Sequence, residues 1–143
     1  MTDAGYSGTP LARKIGLRDG QVALLINVPN TIAEIVEFGG YAACERVWPP
    51  SDISRFDYIH LFETRRAELE SVSHRLIANL KPEGMVWISW PKKASKVPTT
   101  ITEDMLREIL LPTGLVDVKV AAIDEVWSGL KFVVRKELRA GPV

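Results

Sequence analysis

Three runs along the chain are apolar at nearly every position: "VALLIN" (22–27), "FDYIHLF" (56–62) and "MVWISW" (85–90). A strand covered on both faces reads this way, whereas a strand half open to water alternates with period two. Such strands belong to parallel sheets with helices on both sides. From Thr64 to Leu80 the period changes: Leu69, Val72, Leu76 and Leu80 fall on one stripe, with Arg65, Arg66, Glu68, Glu70 and Arg75 elsewhere, which predicts a helix lying on the sheet. Three shorter helices are predicted. Thr9 and Pro10 read as N-cap and first helical residue of a helix through Leu11 and Ile15, closed by Gly16. Thr31 to Phe38 forms another, ended by Gly39-Gly40. Thr102 caps the third, with Ile101 and Leu106 as an apolar staple and Glu103 and Asp104 complementing the helix dipole.

Turn chemistry separates these elements. Asp19-Gly20 leads into the first strand, and "YAACERV" (41–47) reads as a second. The two prolines and Ser-Asp of "WPPSDISR" make it a loop, Lys81-Pro82-Glu83-Gly84 is a turn, and Leu111-Pro112 breaks the Thr102-capped helix before the Thr113-Gly114 turn. "LVDVKVAAID" (115–124) and "LKFVVRK" (130–136) are the last two strands, joined through Glu125 to Gly129. The succession predicts an α/β fold: a three-layer, Rossmann-like, mostly parallel sheet of about six strands ending in an antiparallel hairpin. The 143 residues fit one domain, 1–143, with residues 1–8 and 137–143 expected to be flexible.

Composition narrows the function classes. A content of 46% hydrophobic and 25% charged residues is that of an ordinary soluble protein. Eighteen basic and eighteen acidic side chains cancel, so no long-range field favours nucleic acid or an anionic membrane. Cys44 is the only cysteine; it excludes an internal disulfide and a zinc site built on several thiolates, and its neighbours predict an inert, buried thiol. "MTDAGYSG" lacks the basic and apolar regions of a signal peptide, and no run approaches the ~20 apolar residues of a membrane span. A cytoplasmic location is expected.

"LKPEGMVWIS" resembles the helix, turn and strand that carry an "LKPGG" signature in class I methyltransferases, where a final antiparallel hairpin also follows. That pattern covers Gln21 to Lys136. Over nearly the whole chain, "SGTPLARKIGL", "FDYIHLF", "SWPKKASKV" and "WSGLKFVVR" are similar to a family of short, uncharacterised bacterial proteins of methyltransferase-like fold. The resemblance implies a reduced class I methyltransferase fold and no particular activity. The chain departs from such enzymes after strand one. There a glycine-rich turn lets backbone approach the cofactor, whereas here Asn27-Val28-Pro29-Asn30 places a valine and a proline in the approach. A third strand is absent as well, and Glu45 falls near the position where these enzymes hold a ribose with an acidic residue. No cofactor is expected, and S-adenosylmethionine is expected not to bind tightly.

Ligands of open α/β sheets sit outside the carboxyl ends of the strands. Those ends carry Asn27 and Asn30, then Glu63, then Trp90 with Lys92 and Lys93, then Asp124 with Trp127 and Ser128. Ser95 and Lys96 continue the lysine loop, which reads either as an anion site or as a solvated connection. Trp90 and Trp127 either stack on a flat ligand or pack. His60 is expected to be a hydrogen-bonded core residue, His74 solvent-facing and Trp87 core. No catalytic or metal-binding constellation can be assembled. The expected function is therefore a non-catalytic domain that binds a small anionic ligand, such as a nucleotide or phosphorylated metabolite, or a protein partner. One alternative is an S-adenosylmethionine-dependent methyltransferase with a rebuilt cofactor loop. Another is a structural module that homodimerises through an uncovered edge, Tyr41 to Val47.

Overall fold

The computed structural model describes residues 10–139. Six strands form one sheet: β1 (Val22–Ile26), β2 (Ala43–Glu45), β3 (Phe56–Phe62), β4 (Leu80–Pro91), β5 (Leu115–Ala122) and β6 (Trp127–Val134), in the order β2-β1-β3-β4-β6-β5. The first four run parallel, and β6 is antiparallel to both of its neighbours. Helices α1 (Leu11–Ile15) and α2 (Ala33–Val36) cover one face; α3 (Arg66–Asn79) and α4 (Glu103–Leu110) cover the other. A four-residue helix, α5 (Lys136–Arg139), follows β6. The expected three-layer architecture with a closing antiparallel hairpin is the one observed.

Each face buries its own core. Alternate residues of the central strands send Leu24, Ile59, Ile88 and Phe132 towards Leu69, Leu76, Leu106 and Leu110 of α3 and α4. Their neighbours Leu25, Tyr58, Phe62 and Trp87 face Leu11, Ile15 and Ile35 of α1 and α2. Fully burying a side chain of this size contributes roughly 1.5–3 kcal/mol, so the pleat and the helical stripes together account for the layering. Trp87 is wholly buried, and its indole N–H donates to the Ile15 carbonyl at 2.9 Å. Gly129 lies directly behind that ring: a Cβ there would come within 3.0 Å of Trp87 and 2.9 Å of Ile123.

Several boundaries differ from those expected. Thr9, residues 1–8 and residues 140–143 lie outside the described residues. Pro10 is extended (φ −55°, ψ 141°) and precedes the helix rather than starting it. The helix expected over Thr31 to Phe38 shrinks to one turn, and α3 starts at Arg66 instead of Thr64. The second strand is only three residues long because it pairs with β1 alone, and Cys44 is exposed on this edge instead of buried. Strand β4 starts at Leu80: Leu80 pairs with Phe56 and Met85 with Tyr58, so Lys81 to Gly84 bulge out between the two pairings. Strand β6 begins at Trp127, not Leu130.

Between β2 and β3, where no further strand intervenes, a loop is pinned. Arg75 of α3 donates to Asp52 Oδ1 (2.7 Å) and to the Pro49 carbonyl (2.6 Å), with its guanidinium 5.0 Å from the centre of the Trp48 ring. The buried Asn79 adds bonds to Asp52 and to the Ile53 N–H. Elsewhere the local signals hold. The Thr102 hydroxyl accepts the Met105 N–H, Ile101 and Leu106 are buried, and Arg107 pairs with Glu103, Asp104 and, across to β5, Asp117. No helix among the described residues is long and apolar enough to cross a membrane.

Candidate functional site

The strand order turns back at β1: β2 lies on one side of it and β3 on the other. A crevice opens outside the carboxyl ends of strands at such a switch point. Asn27, the first residue after β1, sits there with φ 61°, in the left-handed region that side chains other than glycine and asparagine rarely enter. Its exposed amide Nδ2 donates across the crevice to the Phe62 carbonyl at 3.2 Å. Val28 turns its side chain onto the α1–α2 core, and the Pro29 carbonyl accepts the Ile32 N–H at the start of α2. Asn30 is exposed beside it.

At the end of β3, Glu63 turns back on its own chain. One carboxylate oxygen accepts the Thr64 and Arg65 N–H groups at 3.0 and 3.2 Å, which satisfies donors at the start of α3. At the end of β2, Glu45 pairs with Arg55 at 3.2 Å, and both side chains remain about two-fifths exposed.

The lysine loop leaves β4 and returns to β3. The Lys92 N–H donates to the Val126 carbonyl, a 3₁₀ turn spans Lys93–Ser95, and the Ser95 hydroxyl donates to the Lys92 carbonyl while accepting the Val97 N–H. Lys96 is the second non-glycine residue with positive φ, at 64°. Beyond it, the Thr99 hydroxyl and Thr100 N–H both donate to the Thr64 carbonyl, and the Thr100 hydroxyl accepts the Arg66 N–H. The loop is therefore an arch clamped at both feet, over the ends of β3 and β4. Among the described residues, Lys92, Lys93 and Lys96 form no ion pair.

On the far side of the arch, Asp124 Oδ1 accepts the Val126 and Trp127 N–H groups and shapes the hairpin turn. Trp127 is half-buried, edge-on to Phe62 at 4.9 Å, and Ser128 pairs with Trp90 across β6 and β4. Trp90 itself is only 8% exposed and belongs to the α3–α4 core. Its side chain packs, so Trp127 is the aromatic residue left at the rim.

Behind the rim lies a buried polar relay that sequence reasoning did not assemble. Tyr58 Oη is 2.5 Å from His60 Nδ1, and His60 Nε2 is 2.7 Å from Ser89 Oγ, linking β3 to β4. His60 was expected in the core, and burial pushes its pKa down to about 3, so the ring is neutral; burial likewise raises that of Tyr58. The pairing of His60 with Ser89 needs the β3–β4 register, which no local pattern gives. His74 is exposed, as expected.

No protein-family model matches the sequence, and no curated protein matches it. Solved structures do. A SAM-dependent methyltransferase from Aquifex aeolicus superposes with a TM-score of 0.62 at 15% identity, over 87% of this chain and 88% of the other. A TehB-like SAM-dependent methyltransferase from Corynebacterium glutamicum gives 0.62 at 13% identity, over 87% and 85%. The Burkholderia thailandensis 1,6-didemethyltoxoflavin-N1-methyltransferase, with bound 1,6-didemethyltoxoflavin and S-adenosylhomocysteine, gives 0.62 at 16% identity, over 88% and 75%. The chain has the Rossmann-like fold of class I methyltransferases.

Proposed function

We propose that this domain is an S-adenosylmethionine-dependent methyltransferase with a rebuilt first loop, holding the cofactor outside the carboxyl ends of β1, β2 and β3. The observation that carries this reading is Asn27. The turn after β1 keeps the left-handed backbone for which a glycine is normally needed, and Val28, expected to obstruct the approach, is turned into the core. The residues present fit the group in two further respects. The exposed amides of Asn27 and Asn30 can hydrogen-bond it, and Glu45 ends β2 with its carboxylate still partly open to accept ribose hydroxyls. When bound, the cofactor supplies a methyl group on a cationic sulfur. The chain's own part is to orient it and to keep water from the crevice, with Phe62 and Trp127 forming an apolar wall. His60, sealed and neutral, takes no proton from a substrate here.

Calorimetric titration of the full chain with S-adenosylmethionine and S-adenosylhomocysteine tests the reading. Saturable binding in the micromolar range, about −8 kcal/mol at 1 μM, is expected. Absence of saturation up to millimolar ligand overturns it. A second reading, non-catalytic binding of a small anion, is favoured by the unpaired lysines of the clamped arch. There, replacing Lys92 and Lys93 by alanine would remove an anion-dependent thermal shift and leave the free protein's melting point nearly unchanged.

A further inference from the structure

The nine ion pairs among the described residues lie at the pinned loop between β2 and β3, at the bulge that opens β4 and on the α3–α4 face. The α1 face of the closing hairpin is built differently. Lys119 of β5 and Lys131 of β6 are direct cross-strand partners. Lys131 in turn pairs in register with Trp87, whose ring is buried under α1. Lys119 extends onto the same helix, its ammonium donating to the Lys14 carbonyl at 2.7 Å. Arg18, two residues past the left-handed Gly16 that closes α1, completes the group, and its charge is felt at Lys131.

Like charges directly opposite one another on two strands are destabilising. Lys131 is also half-buried, and burial, then Lys119, then Arg18 lower its pKa. No carboxylate lies within ion-pairing distance of Arg18, Lys119 or Lys131 among the described residues. The bond to the Lys14 carbonyl, in the last turn of the five-residue α1, occupies Lys119 alone. The side chains of Lys131 and Arg18 have no such partner among the described residues.

We propose that Arg18, Lys119 and Lys131 form a phosphate-binding site on the α1 face of the β5–β6 hairpin, separate from the rim of the sheet. A phosphate monoester or pyrophosphate brings close to two negative charges per phosphate, which a lone carboxylate does not. The guanidinium of Arg18 supplies a two-pronged donor and the ammonium groups act as point charges. Lys131 is four residues along β6 from Trp127, about 13 Å at the rise of a strand, so a phosphate here is not one held by the lysine arch. An anion between the opposed lysines would convert their repulsion into attraction and lock α1 to the hairpin.

The experiment uses the full chain with inorganic phosphate and pyrophosphate, against chloride at matched ionic strength. Pyrophosphate should raise the melting temperature in a saturable way, and the Lys131 side-chain titration, followed by NMR, should move to higher pH when it is added. Lys131→Met should weaken pyrophosphate binding at least tenfold. In chloride that variant should melt at or above the parent's temperature, because the like-charge opposition is gone. Arg18→Gln should weaken binding without altering the contact between Lys119 and α1. The proposal is overturned if phosphate and pyrophosphate act no more strongly than chloride. It is equally overturned if Lys131→Met keeps the saturable shift, or if only Lys92→Ala with Lys93→Ala abolishes it.

Discussion

The side chain of Asn27 holds the carbonyl of Phe62 at 3.2 Å, so the ends of β1 and β3 are tied together by a residue whose own backbone is left-handed. Asn27→Gly keeps the backbone and loses only the bond. Asn27→Val loses the bond and forces a β-branched residue into φ near 61°. Urea denaturation should find the glycine variant within about 1 kcal/mol of the parent and the valine variant destabilised by about 2 kcal/mol or more. Equal losses would show that the left-handed turn is not under strain.

His60 makes stability depend on pH. Its folded pKa is about 3, against an ordinary value of 6.5, because burial disfavours the charged ring. Between those values the unfolded chain binds a proton that the folded chain refuses, so the contribution is fully present above pH 6.5 and is lost as pH falls below it. From pH 7 to pH 5 the loss is about 2 kcal/mol. His60→Gln, which keeps a polar group between Tyr58 and Ser89, should show a correspondingly smaller fall when both proteins are unfolded in urea at the two pH values. Identical falls would mean that the ring is not neutral in the folded protein.

Arg75 holds residues 48–55 between β2 and β3. Arg75→Ala removes the bonds to Asp52 and the Pro49 carbonyl and the contact with Trp48. A loss of about 1–2 kcal/mol is expected, with faster amide exchange confined to the loop and the neighbouring β2. Faster exchange spread over β3 and β4 would instead assign Arg75 to the core.

What was legible in the sequence was what short-range chemistry encodes. The unbroken apolar run of Phe56 to Phe62 matches its strand residue for residue, and the Thr102 cap with its staple is a contact among neighbours. The sequence leaves Trp90 open between stacking on a ligand and packing, because a strand end shows which face a side chain takes but not whether a helix covers it; it packs, sharing the α3–α4 core with Ile88. Cys44 reads as buried from its apolar neighbours, yet an edge strand of three residues gives it no cover. The opposition of Lys119 and Lys131 depends on a register shift in β5 between Asp117 and Lys119, which the sequence does not display. The clamps at Thr64 and Val126 that make the lysine loop an arch are equally long-range.

Strand β6 comes after β5 in the chain but lies between β4 and β5 in the sheet. During synthesis β5 therefore has no sheet neighbour until Trp127–Val134 has left the ribosome, and until then β4 presents a bare, strongly apolar edge. Because domains fold as units while the chain grows at only about 5–20 residues per second, the strands up to β4 must wait for their last neighbour in a state open to mispairing. A nascent chain stalled before residue 127 should be the form that chaperones retain, and one extended well past residue 134 should resist protease.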